Sequence, residues 1–251
     1  MTLEKNIKNI EKYEGFVKSF VQETLHKDLI LKAFTKNKSK NIASPSLSNI
    51  SFAVKDIINV DGYPTRCGSE LPSELFSGKQ SSVVTRLLNS GATFIAKTVT
   101  AEFAISDPGK TRNPRNLKHT PGGSSSGSGA SVAAGFCDFA LGTQTCGSVI
   151  RPAGYCGVIG YKPSFGRISR DGVLLFSKSM DHVGVIAKNL NIAGKIKKKA
   201  LDLGLICYPM QGTVDGTVGD HILIAPPFII NENEMNEISQ KLKTTIESIC
   251  N

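Results

Sequence analysis

Residues 121–129 read PGGSSSGSG, and residues 141–153 read LGTQTCGSVIRPA. What these two stretches are decides what the rest of the chain is. A Ser/Gly cluster is often a flexible linker, but linkers are not usually followed at once by a small-residue helix such as 130–134 and an apolar strand. A phosphate loop is excluded because no Gly-Lys-Ser/Thr follows. Gly123 to Gly127 also matches G-x-S-x-G, a motif that needs a strand directly before it and a histidine base. Here a Pro-rich loop precedes it, and His26, His119, His182 and His221 stand in no telling context. That match is accidental.

Working outward, residues 51–60 (SFAVKDIINV) form an apolar, strand-like run with Lys55 embedded in it, ended by an Asp61-Gly62 turn signal. A helix over 83–88 and a strand over 92–98 follow, and this strand–helix–strand order predicts an α/β domain. Residues 106–129 read as loop, and 139–141 and 158–161 as strands. Upstream, Ile7, Ile10, Phe16, Val17, Phe20, Val21, Leu25, Leu29 and Leu31 are spaced for one or two amphipathic helices. The character changes near residue 190. A basic helix is expected over 195–203, a Gly-rich turn over 212–219, a strand over 221–225 and a closing amphipathic helix over 232–249. No internal repeat is present.

The composition narrows the function classes. The 251 residues suffice to bury a sizeable core. The net charge of +9 raises the question of nucleic acid, but the lysines are scattered, there is no Trp and no zinc-finger spacing, so the charge reads as solvated surface. Six cysteines without CxxC spacing argue against a disulfide framework or a metal site. The first twelve residues have no apolar signal core, and no apolar run approaches membrane-spanning length. The expectation is a soluble, reduced, cytoplasmic protein without cofactor or metal, binding neither nucleic acid nor membrane.

PGGSSSGS followed by ALGTQTCGSVIRPA and then CGVIGYKPSFG resembles the amidase signature. AVKDIINVDGYPTRCGS resembles that family's lysine-bearing strand. AKTVTAEFA, KTRNPRN and SMDHVGVIA fit the neighbouring segments in order. The resemblance covers residues 48–190 and implies the front half of a Ser–Ser–Lys amide hydrolase. The fold it implies is a partial amidase-signature fold, a mixed sheet covered by helices. It places Ser148 as nucleophile, Ser124 as the bridging serine on a cis peptide after Gly123, and Lys55 as base. The 24-residue separation of the two serines agrees with the family pattern.

The residue types suit the chemistry. A serine hydroxyl is a weak nucleophile until a base takes its proton. A lysine serves only when neutral, and burial lowers its pKa. A serine between the two relays the proton. The turn Thr145-Cys146-Gly147-Ser148 could aim backbone N–H groups at an oxyanion. Cys146, where the family usually has a small residue, reads as a turn residue. Ser125 and Ser126 read as loop hydrogen-bonders, Arg151 as structural, and Asp56 as a cap or ion-pair partner.

Three regions are expected: an N-terminal helical region 1–47, an amidase-signature region 48–190 shorter than the family domain, and a small α+β segment 191–251. Residues 200–249, with GDHILIAPPF, resemble the C-terminal tail of a class-III pyridoxal-phosphate aminotransferase, although that family's cofactor-binding core has no counterpart here. The chain thus reads as a chimera. The resemblance implies hydrolysis of a small carboxamide, weak or absent because the pocket-forming segments are replaced, in a possible homo-oligomer. The alternatives are the glutaminase-type subunit of a tRNA-dependent amidotransferase and a non-catalytic fragment. Transamination is argued by the tail alone.

Overall fold

The computed structural model describes residues 3–39, 47–105 and 109–189, together with Glu232, Asn233 and Asn236, which are helical. The strand and closing helix expected in the 191–251 segment otherwise lie outside the described residues.

A five-stranded sheet organises the fold. Its strands are β1 (Ser51–Lys55), β2 (Thr93–Thr98), β3 (Phe139–Gln144), β4 (Ile159–Tyr161) and β5 (His182–Ala187), in the order β2-β1-β3-β5-β4. β1 runs parallel to both β2 and β3, whereas β5 runs antiparallel to β3 and β4. The sheet is therefore mixed, as the family resemblance implies. Every residue of β1, β2 and β3 is buried, which is why these strands read as near-continuous apolar runs.

Strand alternation divides the core in two. Phe52, Val54, Phe94, Phe139, Leu141, Val183 and Val185 point to one face, where Val83, Val84 and Leu87 of α3 (Ser82–Asn89) cover them. Ala53, Ile95, Ala140 and Ile186 point to the other, against Ala130 and Val132 of α4 (Ser126–Ala133) and Ala153 of α5 (Ile150–Cys156). Leu3, Ile10 and Val17 of α1 (Leu3–Val17) join the same cluster. A further helix, α2, spans Lys27–Ser39.

Two expectations differ from the structure. The strand ends at Lys55 rather than running to residue 60, because Ile57 N and Ile58 N both turn back to Lys55 O, at 2.8 and 3.0 Å. The loop expected over 106–129 becomes helix at Ser126. Gly127 permits this early start. A Cβ there would sit 2.2 Å from Ser19 O and 2.5 Å from Val99 N, so only glycine lets the helix backbone lie against β2.

Candidate active site

The site gathers at the ends of β1 and β3 beside the start of α4. Lys55, the last residue of β1, is wholly buried. Its Nζ lies 2.7 Å from Ser124 Oγ and 2.9 Å from Thr143 Oγ1. The Gly123–Ser124 peptide is cis, and Ser124 O accepts a hydrogen bond from Ala101 N at 2.9 Å.

Burial dominates the ionisation of Lys55. Desolvation of the charged form pulls its pKa down to about 7 from 10.5, against opposing fields from Asp181 and then Cys67. The two nearest polar partners are neutral hydroxyls, which stabilise an ammonium far less than a carboxylate would.

Ser148 occupies the turn between β3 and α5 and is half-buried. Three contacts fix the turn. Gln144 at the end of β3 caps α5 with its side chain, Oε1 accepting from Val149 N at 2.8 Å and Ile150 N at 3.0 Å. Arg151 N donates to Gly147 O at 2.8 Å, and Ser125 N donates to Ser148 O at 3.3 Å. The backbone N–H groups of Cys146, Gly147 and Ser148 donate to no acceptor among the described residues. Cys146 is exposed and is a free thiol.

The structure thus brings Lys55 and Ser124 together and ties the Ser148 main chain to the same loop. Among the described residues no hydrogen bond links the Ser148 hydroxyl to Ser124. Three residues were not singled out from sequence: Thr143 beside Lys55, Gln144 as the cap, and Asp181, which accepts from Thr145 Oγ1 at 2.5 Å. Thr143 and Gln144 lie inside GTQTCGS and Asp181 inside SMDHVG, so the motifs held them without showing their partners.

The inner serines do more than brace their own loop. Ser125 Oγ donates to Thr143 O at 3.2 Å and accepts from Thr143 N at 3.3 Å. Ser126 Oγ donates to Val99 O at 3.3 Å. Ser128 Oγ donates to Leu141 O at 3.0 Å and pairs with Thr98 Oγ1 at 2.7 Å. Gly142 makes room for Ser125, since a Cβ there would lie 2.8 Å from Ser125 Oγ. The serine cluster is therefore a set of buried clips between α4 and two strands.

A second buried lysine stands one strand away. Lys97 Nζ pairs with Asp56 Oδ1 at 2.8 Å, both side chains being shut off from solvent, and donates to Thr65 Oγ1 at 2.5 Å and Pro64 O at 3.1 Å. Asp56 is thus the ion-pair partner that the sequence offered as one of two readings.

The mixed sheet and its serine-clipped helix define an amidase-signature fold. The family model described as Amidase matches residues 2–198, and this chain belongs to that family. The match begins well before residue 48, where the sequence resemblance begins, and so takes in α1 and α2. Among curated relatives, a glutamyl-tRNA(Gln) amidotransferase subunit from Prochlorococcus marinus is 44% identical over 167 residues, covering 62% of this chain and 34% of the relative. The protein of the same name from Lachnospira eligens is 38% identical over 220 residues, covering 80% and 45%. Among solved structures, the native peptide amidase of Stenotrophomonas maltophilia aligns with a TM-score of 0.70 at 29% identity, over 85% of this chain and 45% of that one. The like-named amidotransferase subunit from Thermotoga maritima aligns with a TM-score of 0.65 at 28% identity, over 90% and 47%. The chain spans under half the length of these relatives.

Proposed function

We propose that this chain carries the nucleophilic centre of an amide hydrolase acting on a small carboxamide, with Ser148 as nucleophile, Ser124 as proton relay and Lys55 as base. The observation that carries the reading is the 2.7 Å approach of Lys55 Nζ to Ser124 Oγ in a site where burial brings the lysine near neutrality. A neutral amine has two N–H donors and one lone pair. Thr143 Oγ1 takes one N–H, which leaves the lone pair for the Ser124 hydroxyl.

In this reading Ser148 Oγ attacks the carbonyl carbon and its proton passes to Ser124, whose own proton passes to Lys55. The oxyanion is met by the backbone N–H groups of Cys146, Gly147 and Ser148, which donate to no acceptor among the described residues; losing one such donor typically costs about 2.7–4 kcal/mol of transition-state stabilisation. The proton returns through Ser124 to the leaving nitrogen as the C–N bond breaks, and water then cleaves the acyl-serine ester by the same relay. The Ser148–Ser124 hydrogen bond is made when substrate closes the site, as catalytic hydrogen bonds often tighten only in the bound complex.

Because the chain spans under half of its relatives, the reactivity of Ser148 towards a fluorophosphonate is the first readout, and turnover of a panel of small amides the second. Labelling of wild type that is lost in Ser148→Ala and sharply slowed in Lys55→Ala supports the assignment. Labelling indifferent to both substitutions overturns it.

A second reading, the glutaminase-type subunit of a tRNA-dependent amidotransferase, is favoured by the names of the curated relatives. Glutamine hydrolysis that rises on adding the remaining subunits of such an enzyme would select it over a stand-alone amidase. We also propose the division into 1–47, 48–190 and 191–251, the last as an aminotransferase-tail-like unit. Limited proteolysis cutting between residues 188 and 204 supports that junction, and uniform resistance there contradicts it. Among the described residues no helix is long and apolar enough to cross a membrane.

A further inference from the structure

Asp181 precedes β5 and is 4% exposed. Its carboxylate joins two separate segments. Oδ1 accepts from Thr145 Oγ1 at 2.5 Å. Oδ2 accepts from Phe176 N at 2.6 Å and Ser177 N at 2.9 Å. Thr145 is the first residue after β3 and opens the turn that bears Ser148. A buried carboxylate with three donors is strongly held, so it fixes the start of that turn against the 176–177 loop.

We propose, resting on the hydrolase reading above, that Asp181 is a positioning residue that clamps the 145–148 turn through Thr145. A supporting effect of its charge on Lys55 acts through space, since no hydrogen bond joins the two among the described residues. The Asp181 charge raises the pKa of Lys55 against burial, whereas the Cys67 thiol, pushed up to about 12, is uncharged where Lys55 titrates. The Asp56–Lys97 pair lies near Cys67, where Asp56 raises and Lys97 lowers the pKa of the thiol. Arg170 donates to Asp181 O at 3.3 Å, and His182, the next residue in the chain, feels the charges of Lys162 and Arg170. Burial alone would leave Lys55 a poor proton acceptor. A nearby anion restores part of its basicity.

Two substitutions separate the clamp from the charge. Asp181→Asn removes the charge and keeps an oxygen for Thr145, but its amide nitrogen cannot accept from Phe176 N and Ser177 N, so it reads the charge and not the clamp. Thr145→Val keeps the charge and removes the tether, and Thr145→Ser restores the hydroxyl. The midpoint of Lys55, followed by NMR of the lysine Cε carbon in the intact chain, should move to lower pH in Asp181→Asn and stay at the wild-type value in Thr145→Val. Fluorophosphonate labelling of Ser148 should slow by roughly 10- to 100-fold in Thr145→Val, the scale set by small misplacements, and recover in Thr145→Ser. An unmoved Lys55 midpoint in folded Asp181→Asn overturns the charge effect. Wild-type labelling in Thr145→Val overturns the clamp, and that arm stands even where Asp181→Asn does not fold. The NMR titration does not depend on hydrolysis. A wild type inert to the probe therefore counts against the hydrolase reading, while the titration still decides the charge effect.

Discussion

The ends of β1 and β2 each bury a lysine completely, yet the two meet opposite kinds of partner. Lys97 faces the Asp56 carboxylate at 2.8 Å. Lys55 faces two neutral hydroxyls. Burial lowers the pKa of both, but for Lys97 the coulombic attraction of Asp56 and its hydrogen bond oppose burial directly, while Lys55 falls to about 7. Equal burial thus gives one lysine with a carboxylate partner and one candidate base. What decides is the charge of the nearest partner, because low dielectric amplifies a pairing as much as it penalises its absence.

The sharpest break of this comparison would come from reactivity. Lys55→Met should slow fluorophosphonate labelling of Ser148 by roughly 10²–10⁴-fold, the usual range for a lost general base, whereas Lys97→Met should retain most of the rate. Wild-type labelling should rise with pH through about 7 as Lys55 loses its proton, then level off. Equal losses in the two variants would erase the distinction.

Stability should invert the ranking. Asp56→Asn leaves Lys97 buried without a counter-charge and should cost about 3–5 kcal/mol in chemical denaturation, as breaking buried pairs does. A loss within experimental error would show that the pair is solvated in solution.

The Lys55 contribution should depend on pH. Below about 7 the amine is charged in both states and the folded protein bears the full desolvation cost. Between 7 and 10.5 only the unfolded chain holds the proton, so stability from this group rises with pH. Lys55→Met should therefore gain most on wild type at pH 6 and progressively less towards pH 10. A pH-independent difference between the two denaturation series would contradict a depressed pKa.

The smallest effect is expected at Thr143. Thr143→Val removes one neutral hydrogen bond to Lys55, worth roughly 0.5–1.5 kcal/mol, and should slow labelling only several-fold while the labelling midpoint stays near its wild-type pH. A loss as large as that of Lys55→Met would make Thr143 part of the relay.

Much of this was legible in the residue order. The buried strands announced themselves as apolar runs, and the ordered motifs pointed to Lys55, Ser124 and Ser148. The helix α5 was not singled out, and its own Pro152 and Gly154 are residues of low helix propensity. Pro152 is tolerated because it sits in the first turn, where its missing N–H has no intrahelical acceptor. Thr143 and Asp181 were hidden for another reason. Their partners lie 88 and 36 residues away in the chain, and no local pattern encodes such a pairing.

The sequence by itself determined which residues are available: two lysines in apolar strands, one carboxylate following Lys55, and a serine-rich loop between them and the glycine-flanked Ser148. Only the tertiary structure decided which lysine meets the carboxylate. Asp56 is the chain neighbour of Lys55, yet it pairs with Lys97. Lys55 ends its strand with Nζ on Ser124 Oγ, and the turn that follows is held to β2 by Asp56 N on Thr98 O at 3.0 Å, which sets the Asp56 carboxylate beside Lys97.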